Sequence, residues 1–132
     1  MTKFGQGETL PHLRNKMDID EFEKLVVRAA DELPQNIKNA LENVAVVVED
    51  RTRGDLLGLY EGIPETEWGK NDAICLPDKI TIFKPAIERS AKTDNDIKEL
   101  AKIVLWHEIA HHFGFDEAGA RRLERKWRQK QK

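Results

Sequence analysis

The chain has 132 residues, 39% hydrophobic and 35% charged, which suits one domain with a modest core under a highly charged surface. A formal net charge of −2 excludes a molecule drawn to nucleic acid by its overall charge, and the single cysteine, Cys75, excludes an internal disulfide. The N-terminus Met1-Thr2-Lys3-Phe4-Gly5 lacks an apolar signal core, and the apolar run Val44 to Val48 is far too short to span a bilayer, so the expectation is a cytoplasmic protein with no membrane contact.

Residues 1–17 carry Gly5, Gly7 and Pro11, show no period and read as a flexible arm in which His12 is a solvated surface histidine; a single domain is expected over 18–132. Asp18 is a suitable N-cap, with Glu21 three residues on, for a helix whose Ile19, Phe22, Val26, Ala29, Ala30 and Leu33 follow helical spacing. Pro34 ends it, because the residue before a proline is pushed out of the helical region. Ile37, Ala40 and Leu41 suggest a second short helix. Val44 to Glu49 is apolar on both alternations and rich in β-branched residues, which predicts a central strand covered on both faces. Leu56 to Tyr60 reads as a second strand, with Gly58 marking a bulge or a close backbone approach.

The connection from Gly62 to Pro77 contains Trp68, read as a loop anchor, and Cys75, read as a small buried hydrophobe without redox function. Lys79 to Lys84 alternates and is followed by Pro85; lysines at both ends predict a third strand at the edge of the sheet, placed to add an extended chain to the sheet. Thr93-Asp94-Asn95-Asp96 offers capping chemistry for a helix with Ile97, Leu100, Ala101, Val104, Leu105 and Glu108 on one broad face, while Trp106 and His112 point elsewhere. A last helix is expected over 119–132, with Ala120, Leu123 and Trp127 on one stripe. From Arg121 onward seven Lys/Arg against Glu124 carry +6, leaving −8 for the rest; cations at a helix C-terminus are favoured by the dipole, and a solvated tail is the expected role.

The chemistry lies in His107-Glu108-Ile109-Ala110-His111-His112-Phe113-Gly114-Phe115-Asp116-Glu117, which contains H-E-x-x-H followed by x-x-G-x-x-E. Histidines four apart on a helix lie one turn apart with Cβ atoms roughly 5–6 Å from each other, so His107 and His111 can share one zinc ion. Neutral imidazoles bind zinc without cancelling its charge. Zinc lowers the pKa of a bound water to about 7, and Glu108, on the same face, is placed to take the proton as general base without being a ligand. His112 lies about 100° round the helix from His111 and is read as a second-layer or surface residue, not a ligand. Gly114 can adopt the left-handed conformation that ends the helix and brings Asp116 or Glu117 round to the metal as third ligand, leaving a fourth position open.

These elements resemble the minimal zincin family of small bacterial zinc metallopeptidases. The matching text is Glu42 to Asp50, Leu57 to Gly62, the Ile80 to Phe83 strand and His107 to Glu117, within a likeness running from Phe22 to Leu123. The resemblance implies an α+β fold of truncated zincin type, a small three-stranded mixed sheet packed on helices with the H-E-x-x-H helix beneath it. It also implies one zinc per chain held by His107 and His111, with Glu108 as base and a peptide or protein substrate. The family more often has Asp at the position of Glu117. In metzincin-like spacing the third ligand falls three residues past the glycine, at Glu117, which frees Asp116 to cap the final helix; Glu124 lacks the partner four residues on that the gluzincin pattern has, and cations surround it. Metzincins also place a methionine turn under the metal, but both methionines here, Met1 and Met17, precede the site. No tyrosine follows the motif to assist an oxyanion.

Two other classes compete with a peptidase. A ribosome-maturation endoribonuclease shares an H-x-x-x-H-x-x-G-x-D-H layout but has glycine where this chain has Glu108. A binding module with structural zinc requires a closed four-ligand site, whereas three ligands and an open position are expected here.

Overall fold

A computed structural model describes residues 17–41, 43–62 and 78–130. Most of the expected arm, together with Trp68 and Cys75, lies outside the described residues. Met17 lies within them: it packs against the core, and its backbone N–H donates to Glu88 Oε2 at 2.5 Å.

Helix α1 (Ile19–Asp31) starts where Asp18 accepts from the Asp20 N–H and buries Phe22, Val26 and Ala29, the predicted stripe. A short α2 (Gln35–Ala40) follows Pro34. Three strands come next, β1 (Val44–Glu49), β2 (Gly58–Glu61) and β3 (Asp78–Phe83), then α3 (Lys84–Arg89), α4 (Asp94–His112) and α5 (Glu117–Gln129). The fold is α+β with a small mixed sheet, as expected. Among the described residues no helix is long and apolar enough to cross a membrane.

The sheet order is β1-β3-β2, with β3 parallel to β1 and antiparallel to β2. This reverses two expectations. The lysine-flanked strand is the central one: Ile80, Thr81, Ile82 and Phe83 are all buried, so both of its faces are covered. The valine-rich strand β1 is an outer strand, none of its residues is fully buried, and Val46 is 40% exposed. β-branched composition reports fit to a pleated surface and not position in the sheet. The lysine signal had another origin, since Lys84 is the first residue of α3 and is buried with its ammonium 3.1 Å from Glu88 Oε2. Pro85 therefore opens a helix, where its missing N–H costs nothing.

Helix α4 organises the rest, meeting α1, α3, α5, β2 and β3. Thr93 caps it by accepting from the Asp96 N–H at 3.1 Å. Its burial runs nearly all round. Ile97, Ala101, Leu105 and Ile109 fill the core, and Trp106, expected to point away from it, is fully buried with its indole N–H donating to Ala29 O at 2.8 Å. An indole has enough apolar surface to drive burial once its single donor is satisfied, and here α1 supplies the acceptor.

Candidate metal centre

The motif occupies the last turns of α4. The His107 and His111 rings lie one turn apart with centroids 4.8 Å from each other, nearly perpendicular. The helix then ends at Gly114, whose φ of 95° favours glycine. The Gly114 N–H donates to His111 O and the Phe115 N–H to Ala110 O, the bonding of a Schellman cap. That turn carries the chain back towards the histidines.

Both imidazoles direct Nε2 at one carboxylate. Glu117 Oε2 is 2.9 Å from His107 Nε2, and its Oε1 is 3.2 Å from His111 Nε2. Ligands held tetrahedrally at about 2.0–2.1 Å from zinc lie about 3.3 Å from each other, so this spacing suits a shared ion. His111 is oriented from its other side, with Nδ1 facing the Phe115 carbonyl at 2.8 Å. An Nδ1–H donating there leaves Nε2 with the lone pair that a metal requires. The neighbouring Asp116 is used differently: its Oδ1 accepts from the Gly119 N–H at 2.8 Å and caps α5. Glu124 is buried at a distance along α5 and pairs with Arg128.

Glu108 is the second carboxylate here. Its ligand oxygen and the nitrogens of His107 and His111 all lie within 4.8 Å of one another, so contact geometry alone admits it as a ligand too. Glu117 lies outside that group of three but touches both nitrogens directly. The two carboxyls differ in environment. Burial pushes the Glu108 carboxyl above the usual carboxylate range, a rise opposed by His111, His107 and the Tyr60 backbone N–H that bonds it, and reinforced by Glu117. The hydrogen bond to His107 draws exposed Glu117 below that range.

Strand β2 roofs the site at closest approach. A Cβ on Gly58 would lie 2.5 Å from Val104 Cγ1 and 3.5 Å from Glu108 Cγ, so only glycine lets the strand sit this close to the helix. Tyr60, two residues on, was not singled out as a site residue from the sequence. Its hydroxyl donates to Asp78 Oδ2 at 2.6 Å, and His112 Nδ1 lies 2.7 Å from the same oxygen. His112 is completely buried, which corrects the surface alternative; it belongs to the layer behind the metal-facing residues. The paired spacing of Tyr60, Asp78 and His112 spans three elements and leaves no local signal.

A cavity of about 310 Å³ between α1 and α4, bordered by Met17, Glu21, Arg28, Lys98 and Lys102, lies apart from the motif. It is lined by ordinary surface charge, including Lys102 paired with Glu32 at 3.1 Å.

No curated protein matches the chain. The family model of the zincin-like metallopeptidases matches residues 41–127, from the end of α2 to the last turn of α5, with the histidine motif, Gly58, Tyr60 and Asp78 inside that span. The match covers roughly two thirds of the 132 residues, and the chain belongs to the zincin-like metallopeptidase family.

Proposed function

We propose that the protein is a zinc-dependent peptidase built as a single domain over residues 18–132, with His107, His111 and Glu117 holding one zinc ion and Glu108 acting as general base. The observation that carries this reading is the convergence of two imidazole nitrogens on the Glu117 carboxylate, with a second, half-buried carboxylate beside them. Bound there, zinc supplies Lewis acidity towards water and towards the scissile carbonyl. Glu108 takes a proton from the attacking water onto a carboxylate oxygen and returns it to the leaving amine nitrogen. Burial suits it to the first task, because a raised pKa makes the carboxylate a stronger proton acceptor. The Tyr60 N–H holds the carboxylate in place.

The outer strand beside the site is β2 and not β3, so the role of receiving an extended peptide passes to β2. In an antiparallel ladder opposite residues alternate between bonded and non-bonded pairs. Phe83 N–H donates to Leu57 O, so residues 57, 59 and 61 face β3, and Gly58 and Tyr60 turn their backbone groups outward. The Gly58 carbonyl and N–H then offer a substrate backbone its partners next to Glu108.

The test is Glu108→Gln in zinc-loaded protein incubated with a peptide library and, separately, with structured RNA. The amide cannot accept the proton, so peptide cleavage falls by about 10²–10⁴-fold while one equivalent of zinc is retained. Loss of zinc together with activity would give Glu108 a different role. Cleavage of RNA but not peptide by the unsubstituted protein would overturn the peptidase reading.

A further inference from the structure

Behind the metal-facing residues the chain packs a second polar group of three. Asp78 Oδ2 accepts from the Tyr60 hydroxyl at 2.6 Å and from His112 Nδ1–H at 2.7 Å. The three residues come from β2, β3 and α4, and both Asp78 and His112 are buried. The Tyr60 and His112 rings also meet edge to face, with centroids 6.1 Å apart. Space is cut closely around Asp78: a Cβ on Gly62 would lie 2.3 Å from its Oδ1.

Burying a carboxylate and an imidazole costs more than burying apolar side chains of the same size unless they are hydrogen-bonded, as Asp78 and His112 are to each other and Asp78 is to the half-buried Tyr60 hydroxyl. Each end of this group leads to the metal centre. His112 follows His111 in the chain. Tyr60 is held at its hydroxyl by Asp78, and its backbone N–H turns away from β3 to face the Glu108 carboxylate, on a strand so close that a Cβ at Gly58 would lie 3.5 Å from Glu108 Cγ. The hydroxyl bond fixes the rotamer and the strand position of Tyr60, and the strand position sets where the N–H points. The same contacts join the end of α4 to β3, so the distance between Glu108 and β2 is set by hydrogen bonds as well as by packing at Gly58.

We propose that Tyr60, Asp78 and His112 are positioning residues that hold the Tyr60 N–H on Glu108 and so orient the base for attack. The inference rests on Glu108 being the base, but its first readout needs no turnover. Amide hydrogen exchange at residues 59, 60 and 61 is measured by NMR on the full-length protein, with and without zinc. In Tyr60→Phe the ring and the N–H remain and only the hydroxyl is lost. The expected result is exchange about tenfold faster at residue 60, the scale of one lost hydrogen bond, while residues 59 and 61, bonded to β3, hold their rates. Glu108→Ala accelerates residue 60 in the same selective way. His112→Leu also accelerates it, and His112→Asn, which keeps a donor near the place of Nδ1, restores protection.

Unchanged exchange at residue 60 in Tyr60→Phe, or equal acceleration at all three residues, overturns the proposal, because a merely structural role loosens the strand evenly. With casein as the probe substrate, Tyr60→Phe lowers kcat about tenfold and leaves KM and zinc affinity unchanged. A protein that cleaves nothing but shows selective exchange at residue 60 counts against the peptidase reading and leaves the positioning geometry standing.

Discussion

Asp116 and Glu117 are adjacent carboxylates after the Gly114 turn, and the turn assigns them different partners. Glu117→Ala is expected to weaken zinc binding by more than about 100-fold, measured by competition with a chelator, because it removes a group in contact with both imidazoles. Asp116→Ala is expected to cost about 1 kcal/mol of stability through the lost α5 cap and to leave zinc affinity nearly unchanged. The opposite pattern would make Asp116 the ligand. Glu108 yields a prediction of its own in the metal-free protein. Its folded-state pKa is raised by burial, so it contributes stability that is fully present below the unfolded carboxylate pKa, about 4.3, and is lost as pH rises through the folded value. Metal-free Glu108→Gln is therefore expected to gain on the parent protein in urea denaturation as pH is raised from 4 to 7, and a constant difference between the two would remove burial as the cause.

At the scale of elements, what could be read in advance was what depends on neighbours in sequence. The Asp18 and Thr93 caps, the stripe Phe22-Val26-Ala29 and the i, i+4 histidine pair are local, and each appears where its spacing placed it. Strand order is not local. Nothing within Lys79 to Lys84 reveals that β1 and β2 flank it, and Lys84 drew attention to an edge while forming a buried ion pair inside α3. The outward placing of Trp106 and the surface alternative for His112 fail for a related reason: α4 is covered on several sides, so a one-face pattern understates its burial. The turn at Gly114 combines both kinds of information, since glycine is visible in the sequence and its consequence is long-range. Gly114→Ala puts a Cβ on a backbone at φ 95° and is expected to cost about 1–3 kcal/mol. Zinc affinity is expected to fall with it, because Glu117 follows directly; thermal melting and chelator competition on the same sample check both, and an intact metal site in a destabilised protein would show that α5 docks independently of the turn.

For the whole molecule the contacts of Glu117 with His107 and His111 tie the end of α4 to the start of α5, two helices that also meet in the core through Trp106 and Trp127. In the metal-free protein that tie consists of an exposed carboxylate against two histidines, and polar contacts of so exposed a group contribute little. A ligand that binds only the folded state stabilises it by RT ln(1 + [L]/Kd), about 4 kcal/mol at a free concentration of 1,000 Kd. With an unfolding entropy of about 2.1 cal/mol/K per residue, that raises the melting temperature of a chain this size by about 15 °C. Chelation should therefore lower the melting temperature by about that amount and reloading should restore it with close to one equivalent of zinc per chain. His107→Ala and His111→Ala should each melt near the chelated protein and respond to neither treatment. A zinc-dependent shift that survives both substitutions would place the stabilising ion elsewhere, and a near-zero metal content after reloading would remove the centre altogether.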